Sequence, residues 1–519
     1  MKPTKVFSVL FICFLFSFWN ANSQQKHTFP KNEFRAVWIA TVVNIDWPKS
    51  GTDAVEKQKA DFIAILDTYH KLHFNAVIVQ IRSVGDAFYP SKLAPWSRYL
   101  TGKEGLPPQP YYDPLAWMIE QAHQRGFEFH AWLNPYRATM DTKTEILSKD
   151  HDFFKHRDWM IKYGEKGKEK YYYNPGLPEV QSHLTAVVQE VIKNYDIDAI
   201  HFDDYFYPYR VTGKVFNDKA SYKKYSYKLS LEDWRRDNVN KFVQNIYFTV
   251  KRLKPWVQFG ISPFGVWRNK SIDPRGSDTQ AGQTNYDDLY ADPIAWMEGK
   301  YIDYMLPQLY WSIEHKTASY SKLIKWWSEN SSNTNLYIGI GSYKVKSDSD
   351  RKWHIPGEIP NQIDLTRTFP NIQGNAYFSA KSFVNNNLDV STLLENNQYK
   401  YPAIPLPVPS SVKVANERPL INSFTKDGNE YQFSFKNTQS DQIRYIIVYS
   451  TDHPRDLNTN DPTQIVEKVF IDAKSESIKM RLSKEKLNNV RKVAFTFIDF
   501  YGNESVPEIV NINTEIKPN

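Results

Sequence analysis

Residues 198–204 read Asp-Ala-Ile-His-Phe-Asp-Asp, a short apolar run that ends in two carboxylates. Side chains alternate between the two faces of a strand, so Ile200 and Phe202 share one face while His201 and Asp203 share the other. The apolar face suits packing against helices, and the polar face suits the interior of a parallel barrel. The stretch therefore predicts a barrel strand whose last residues point at a functional site.

The same rhythm of short apolar runs and amphipathic stretches extends from residue 34 to about residue 380. Eight candidate strands occur, at 35–42, 75–82, 127–134, 198–204, 257–262, 302–310, 336–341 and 375–380. Predicted helices between them include 55–72, 114–125, 178–195 and 231–253. This pattern predicts an α/β fold, a closed (β/α)₈ TIM-like barrel over residues 30–400. The alternative is an open doubly wound sheet, but no Gly-rich dinucleotide fingerprint follows any strand.

Three segments flank the predicted barrel. Residues 1–23 are predicted to be a cleaved secretion signal, because two lysines precede an apolar run that ends in small residues. Residues 401–411 form a proline-rich linker. Residues 412–519 alternate like the strands of a small all-β sandwich and, with the turn at Asp499–Ser505, resemble a fibronectin type III-like module. We therefore expect an exported protein, periplasmic or at the cell surface, with no transmembrane segment after cleavage.

The composition excludes several chemistries. The only cysteine, Cys13, lies in the predicted signal, so the mature chain has no disulfide and no Cys-based zinc or thiol site. The histidines lack metal-ligand spacing and no EF-hand-type loop occurs, so we expect no metal and no cofactor. The net charge of +7 is spread over solvated runs without a nucleic-acid motif, so we expect no nucleic-acid partner. We expect a monomer.

Strand parity brings polar side chains from five predicted strands to one end of the barrel. The inward-facing residues are Gln80, Arg82, His130, Trp132, Asn134, His201, Asp203, Ser262, Gln308 and Tyr310. Burying so many polar groups is unfavourable unless they serve one another or a ligand. A satisfied polar network is one interpretation, and the position at the strand ends favours the other, a functional site.

Glycoside hydrolysis needs one carboxylic acid with a raised pKa and a second group that acts as base, nucleophile or stabiliser. Asp203 is the predicted primary catalytic carboxylate. Asp204 is a second catalytic group or an anchor of the rim, since consecutive residues enter the lumen together only if the strand ends between them. Asp86, in the loop after the second strand, is a candidate proton donor.

The remaining site residues are predicted to bind substrate. Arg82 and Arg137 would keep a carboxylate ionised, and His201 would hold Asp203 by a hydrogen bond unless it is a packed core histidine. Aromatic rings at or beyond strand ends can stack on sugars, although rim packing is the alternative. The full predicted binding set is Arg82, Trp132, Asn134, Arg137, His201, Tyr205, Trp267, Gln308, Tyr310 and Trp311.

Seven motifs carry a family resemblance, in the order Phe34–Ala40, Gln80–Ser91, His130–Arg137, Tyr173–Gly176, His201–Pro208, Gly260–Gly265 and Asp303–Trp311. With them the chain resembles the glycosyl-hydrolase-like 10 family of exported bacterial proteins over about residues 30–400. The resemblance implies a TIM-like barrel and a glycosidase-type function on a polysaccharide. It also implies peptidoglycan glycan strands, or another N-acetylhexosamine polymer, as the leading substrate class.

The mechanism stays open at this point. The fourth-strand motif is also distantly similar to the Asp-x-Asp-x-Glu strand of chitinase-type enzymes, in which the acetamido group of the substrate is the nucleophile. Phe206 stands where that family keeps its proton-donating Glu. Two hypotheses remain: a retaining or substrate-assisted glycosidase, and a polysaccharide-binding barrel without catalysis. A deacetylase or esterase is disfavoured, because the sequence has no metal triad and no nucleophile elbow.

Overall fold

The computed structural model describes residues 29–332, 334–409, 418–436, 442–452, 456–472, 477–487, 490 and 492–512. The predicted signal peptide, residues 1–23, lies outside the described residues, as do residues 410 and 411 of the predicted linker. Among the helices in the described part of the chain, none has the length and apolar character needed to cross a membrane.

The strands are numbered in chain order. They are β1 (Phe34–Ile39), β2 (Ala76–Arg82), β3 (Glu128–Leu133), β4 (Met160–Tyr163), β5 (Lys170–Tyr173), β6 (Ala199–Phe202), β7 (Gln258–Ile261), β8 (Tyr304–Met305), β9 (Asn335–Ile340), β10 (Ile372–Tyr377), β11 (Leu420–Asp427), β12 (Glu430–Lys436), β13 (Ile443–Ser450), β14 (Ile465–Phe470), β15 (Ser477–Ser483), β16 (Lys492–Asp499) and β17 (Glu508–Asn511).

The α-helices are α1 (Val55–Lys71), α2 (Arg98–Thr101), α3 (Pro114–Gln124), α4 (Asp152–Lys155), α5 (Pro178–Asn194), α6 (Lys219–Tyr225), α7 (Leu231–Leu253), α8 (Asn285–Asp288), α9 (Pro293–Glu298), α10 (Tyr320–Glu329), α11 (Glu358–Arg367), α12 (Lys381–Val384) and α13 (Val390–Asn396).

Eight parallel strands close into a barrel in the order β1-β10-β9-β8-β7-β6-β3-β2. Each of the eight predicted strands overlaps one of them, so the predicted TIM-like barrel is confirmed. Two of the helices around the barrel, α3 and α7, begin at a residue whose side chain caps the helix. Asp113 caps α3 by accepting the backbone N–H of Ala116, and Ser230 caps α7 by accepting that of Asp233.

The barrel has two cores, as strand parity predicted. On the outer face of the barrel, Ile200 and Phe202 belong to the apolar layer between the strands and the helices. Phe202 stacks on Phe242 of α7 with ring centroids 5.8 Å apart. Inside, Trp38 and Tyr304 fill the lumen. The filling is tight: a Cβ built on Gly260 of β7 would lie 1.9 Å from the Tyr304 ring, so only glycine fits there.

The sequence did not predict the antiparallel hairpin of β4 and β5, inserted between β3 and α5. Its strands have four residues each and flank the Lys-rich run 164–169, which reads as solvated surface. The hairpin nevertheless supports the loop after β6, because the Tyr163 hydroxyl accepts the backbone N–H of Val211 at 2.9 Å.

The C-terminal module consists of two antiparallel sheets with the strand orders β11-β12-β15 and β14-β13-β16-β17. Apolar side chains from both sheets form one core, with Phe433 and Phe435 of the first sheet against Phe495 of the second. A small all-β domain was predicted here. Strand β11 was not, because its residues are mostly exposed and polar.

This module packs against the end of the barrel where the strands begin. Tyr445 donates its hydroxyl to the backbone oxygen of Phe127, directly before β3, at 3.0 Å. Arg444 pairs with Asp198, directly before β6, at 2.9 Å. Residues 401–409 of the predicted linker are packed as well, since Ile404 exchanges backbone hydrogen bonds with the chain just before β1. These contacts of the described part of the module all lie away from the opposite end of the barrel, where the polar strand ends converge.

Candidate active site

A cleft of about 320 Å³ opens at the C-terminal end of the barrel strands. Its lining is aromatic and polar: Trp38, Val42, Ile45, Gln80, Trp132, Arg137, Asp203, Asp204, Tyr205, Tyr209, Ser262, Gln308, Tyr310, Tyr343 and Phe378. Of the predicted site residues, the structure brings together Trp132, Arg137, Asp203, Asp204, Tyr205, Gln308 and Tyr310 in this cleft.

Asp203 is surrounded by hydrogen-bond donors. The indole N–H of Trp132 donates to Oδ2 at 3.1 Å, and the side-chain amide of Asn134 contacts Oδ1 and Oδ2 at 3.1 and 3.0 Å. The backbone N–H of Tyr205 donates to Oδ1 at 3.2 Å. Burial raises the pKa of Asp203, while Arg137 and these donors favour its charged form.

Asp204 has fewer partners. The Tyr209 hydroxyl donates to its Oδ2, and the Gln308 side chain lines the same cleft while donating to the backbone oxygen of Ser262 at 2.8 Å. Burial raises the pKa of Asp204 to about 7, the neighbouring Asp203 carboxylate adds to the rise, and Tyr209 and Gln308 oppose it. The two carboxyls thus differ in environment, and Asp204 keeps its proton to about neutral pH.

Both carboxyls reach the cleft because the strand ends before them. Strand β6 stops at Phe202, and the chain then turns, with the backbone N–H of Phe206 donating to the oxygen of Asp204 at 3.1 Å. The alternation of a regular strand no longer applies to Asp203 and Asp204. The sequence set the condition that the strand ends between the two residues; the strand instead ends one residue earlier, before both of them.

Arg137 forms a cationic wall of the cleft. Its Nε and Nη2 donate to the backbone oxygen of Ser83 at 3.1 and 3.0 Å, which fixes the guanidinium. The same guanidinium lies 5.0 Å from the centroid of the Tyr205 ring. Its charge stabilises the ionised form of Asp203.

Arg82 and Asp86 lie outside the cleft lining, which differs from the sequence prediction. Arg82 is buried and donates to the backbone oxygen of Asn134 and to the Tyr173 hydroxyl, both at 3.3 Å. Asp86 is fully buried and accepts the backbone N–H of Val84 at 3.2 Å. Both residues therefore support the strand ends from behind rather than face a ligand.

His201 does not hold Asp203, which corrects the sequence prediction. Its Nδ1 pairs with the Tyr304 hydroxyl and its Nε2 with the Ser262 hydroxyl, both at 2.9 Å. Burial and the nearby His130 keep the pKa of His201 well below its usual range, so the ring is neutral. This is the packed core histidine that the sequence left as the alternative.

Of the aromatic residues predicted to stack on sugars, some line the cleft and others lie outside its lining. Tyr205 and Tyr310 line the cleft, and Tyr310 packs beside Phe378 with centroids 6.1 Å apart. Trp267 is instead buried and donates to Asp292 at 3.1 Å, so for this residue the alternative of rim packing holds. Trp311 is half-buried against Phe264, 5.5 Å between centroids, outside the lining.

Sequence reasoning missed four aromatic residues of the cleft: Trp38, Tyr209, Tyr343 and Phe378. Trp38 was detectable, because it has inward parity in β1 and lies in the first family motif. Tyr209, Tyr343 and Phe378 follow the ends of β6, β9 and β10, where strand parity gives no direction. Among the described residues, no group of three or more His, Cys, Asp or Glu side chains is arranged to hold a metal ion.

A (β/α)₈ barrel with paired carboxylates in an aromatic cleft at its C-terminal end defines a TIM-barrel protein of the glycosidase type. Residues 33–355 match the family model "Glycosyl hydrolase-like 10". The chain belongs to this family, and family membership implies a carbohydrate substrate.

Two relatives and two solved structures illustrate the similarity. The chain is 46% identical over 415 residues to "Glycosyl hydrolase YngK" of Bacillus subtilis (strain 168), covering 79% of this chain and 80% of the relative. It is 39% identical over 368 residues to "Glycosyl hydrolase DigH" of Escherichia coli (strain K12), covering 66% and 82%. The PgaB (BpsB) glycoside hydrolase domain from Bordetella bronchiseptica aligns with a TM-score of 0.47 at 11% identity, covering 70% of this chain and 98% of that one. The catalytic domain of β-amylase from Paenibacillus polymyxa aligns with a TM-score of 0.45 at 12% identity, covering 72% and 99%.

Proposed function

We propose that the protein is an exported glycoside hydrolase that cleaves a polysaccharide, with peptidoglycan glycan strands or another N-acetylhexosamine polymer as its substrate. The observation that carries the proposal is the pair Asp203 and Asp204, two consecutive carboxyls that line one cleft in different environments. A sugar-binding groove alone needs no such division between a carboxyl surrounded by hydrogen-bond donors and one that keeps its proton to about neutral pH.

Asp204 is the general acid in this proposal. A pKa of about 7 keeps a large share of its carboxyl protonated near neutral pH, which a proton donor to the leaving oxygen requires. It takes the role that the sequence offered to Asp86, since Asp86 lies outside the cleft lining. The missing Glu at Phe206 is then no obstacle to catalysis, because the acid stands two residues earlier.

Asp203 orients the substrate. Its two oxygens offer about four acceptor positions, and three donors, from Trp132, Asn134 and Tyr205, occupy part of them. The remaining capacity suits an N–H group of a bound ligand. An acetamido N–H next to the reacting carbon is such a group, which supports a 2-acetamido sugar as substrate.

The placement of both carboxyls on one wall supports a substrate-assisted reaction. Their Cα atoms are about 3.8 Å apart as consecutive residues, whereas a protein nucleophile has to approach from the sugar face opposite the acid. Asp204 gives its proton to the glycosidic oxygen, the bond from that oxygen to the anomeric carbon breaks, and the acetamido oxygen bonds to that carbon. Water then bonds to the anomeric carbon, the bond from that carbon to the acetamido oxygen breaks, and a proton of the water returns to Asp204.

The test compares the wild-type protein with Asp203→Asn and Asp204→Asn variants on purified glycan strands, with and without stem peptides, and identifies products by mass spectrometry. We expect products from the wild type and a loss of at least 100-fold in both variants. The product mass names the bond that is cut. Addition of azide separates the two carboxyls, because it replaces a missing nucleophile but not an orienting group.

Three outcomes would change the proposal. Equal products from wild type and both variants would remove the pair from the chemistry. An azide adduct formed by Asp203→Asn would make Asp203 a nucleophile and contradict substrate assistance. No products from any protein on these strands or on a panel of other polysaccharides would favour the alternative function, a polysaccharide-binding barrel.

We also propose that the C-terminal module is fibronectin type III-like and that the protein is a monomer. The two antiparallel sheets of three and four strands support the first point. Light scattering of the mature chain tests the second.

A further inference from the structure

The loop after β6 carries a tyrosine that no sequence pattern singled out. Tyr209 lies in the cleft lining, and its hydroxyl donates to Oδ2 of Asp204. Burial, with Asp204 next in effect, raises the pKa of Tyr209 well above its usual range. The Tyr209 hydroxyl therefore stays protonated at neutral pH and can donate to the ionised Asp204 carboxylate.

The ring of Tyr209 is fixed on two sides. It meets the Tyr205 ring edge-on, with centroids 5.3 Å apart and planes at 82°, and the Phe264 ring at 6.1 Å and 78°. Directly after it, the backbone N–H of Arg210 donates to Gln283 at 3.0 Å, and that of Val211 donates to the Tyr163 hydroxyl at 2.9 Å. The hydroxyl thus has a defined position relative to Asp204.

We propose that Tyr209 is the positioning residue of the acid: its hydroxyl holds the Asp204 carboxyl in place and sets how tightly that carboxyl keeps its proton. The proposal rests on the proposed function for the role of Asp204 in catalysis, but the relationship between the two side chains can be measured without turnover.

Several groups face Asp204 and share control of its proton. They are the Asp203 carboxyl, the hydroxyls of Tyr205, Tyr209 and Tyr310, the Gln308 amide and, on the far side of Asp203, the Arg137 guanidinium. Of these, the Tyr209 hydroxyl is the one for which the structure shows a direct hydrogen bond to the Asp204 carboxylate. A hydrogen bond to a charged carboxylate favours the charged form, so its removal makes Asp204 hold its proton to higher pH.

The first experiment follows the carboxyl itself. The full mature chain is labelled with ¹³Cγ-aspartate and titrated by NMR, and the resonance absent from Asp204→Asn is assigned to Asp204. In Tyr209→Phe, which keeps the ring and removes only the hydroxyl, we expect its midpoint to rise by about one pH unit. Tyr163→Phe is the matched control, because it removes a hydroxyl that anchors the same loop without touching Asp204.

The second experiment measures hydrolysis of the same glycan strands as a function of pH. We expect kcat of Tyr209→Phe to fall about tenfold with little change in KM, and the alkaline limb of its pH profile to move upward with the NMR midpoint. Tyr163→Phe should keep the limb of the wild type.

An unchanged Asp204 midpoint in Tyr209→Phe, or an equal shift in Tyr163→Phe, would overturn the proposal. A shifted midpoint in a protein that hydrolyses no glycan would leave the positioning role intact and reject the proposed function instead. Should Tyr209→Phe fail to fold, wild-type protein labelled with ¹³Cζ-tyrosine gives the same answer. The Tyr209 resonance, identified by its response in Asp204→Asn, must then move with the midpoint of the Asp204 ¹³Cγ resonance, and a Tyr209 resonance that does not move with it would overturn the proposal.

Discussion

The side-chain amide of Asn134 contacts both carboxylate oxygens of Asp203, at 3.1 and 3.0 Å. The oxygen of the same amide accepts the backbone N–H of Arg137 at 3.0 Å. One residue at the end of β3 therefore fixes the carboxylate at the end of β6 and the loop that carries its cationic neighbour. The amide orientation is defined by this pair of bonds, since its nitrogen donates to Asp203 and its oxygen accepts from Arg137.

Asn134→Ala should lower kcat about 10- to 100-fold, because Asp203 loses a donor and the loop of Arg137 loses its anchor. Asn134→Asp keeps the acceptor for the Arg137 N–H and places a second carboxylate against Asp203. We expect this variant to be at least as impaired, since like charges raise the pKa of Asp203 and weaken its role as an acceptor. Steady-state kinetics on glycan strands measures both. Full activity in either variant would contradict the assignment of Asp203.

Activity should depend on pH through Asp204. Its pKa of about 7 means that the acid is protonated below neutrality and loses its proton above it. We therefore expect kcat/KM to fall tenfold per pH unit on the alkaline side of about pH 7. Asp204→Asn should show low activity without this limb. A wild-type profile that stays flat to pH 9 would argue against Asp204 as the acid.

The same carboxyl should make the wild type less stable at neutral pH than Asp204→Asn. The pKa of Asp204 in the folded protein, about 7, lies above the value of about 3.9 expected in the unfolded chain. The folded state therefore binds the proton more tightly between these values, and this contribution to stability is lost as the pH rises through about 7. Melting temperatures from pH 5 to pH 8 should fall more in the wild type than in the variant. Parallel curves would contradict the raised pKa.

Strand parity predicted the directions of side chains inside regular strands and failed beyond their ends. It placed Trp132 in the lumen and Phe202 against the helices, as observed, because the period of two is a property of the extended backbone. Asp86 illustrates the limit: it lies four residues past β2, and the fold of its loop, not the sequence, decides that it is buried. Tyr209 reaches the cleft for the same reason.

Residue partners were harder to predict than residue positions. The sequence placed His201 one step below Asp203, yet its ring bonds to Ser262, directly after the adjacent strand β7, and to Tyr304 of β8, the next strand around the barrel. Such contacts depend on how far each strand is shifted relative to its neighbours around the closed barrel. This shift cannot be predicted from the sequence of one strand. The contact of the C-terminal module with the barrel was likewise not predicted, because no sequence motif marks Arg444 as an interface residue.

His201 should matter for stability and not for the pH profile. Its buried ring serves Tyr304, Ser262 and, at 3.3 Å, the indole N–H of Trp38. His201→Ala removes one hydrogen-bond partner from each of these groups and opens a cavity, which should lower the free energy of unfolding by about 2 to 4 kcal/mol. Denaturant titration measures this loss. Because the ring is neutral, the limbs of the activity profile should stay in place, and a limb that disappears would give His201 a role in proton transfer.

Arg444 should determine whether barrel and module unfold together. Its guanidinium is buried between the two domains and bonds Asp196 at 2.6 Å, Asp198 at 2.9 Å and the ring of His123 at 2.9 Å. Arg444→Met keeps much of the side-chain volume but leaves the partly buried Asp198 without the Arg444 cation, and we expect it to lower stability by about 3 kcal/mol, the lower end of the range for a broken buried pair. Since the contact joins the two domains, we expect one unfolding transition in the wild type and two in the variant, measured by calorimetry. The matched control is Arg418→Met, which removes a half-exposed ion pair with Glu508 inside the module and should cost at most about 1 kcal/mol. A single transition in both variants would show that the apolar contacts around Tyr445 suffice to couple the domains without the ion pair.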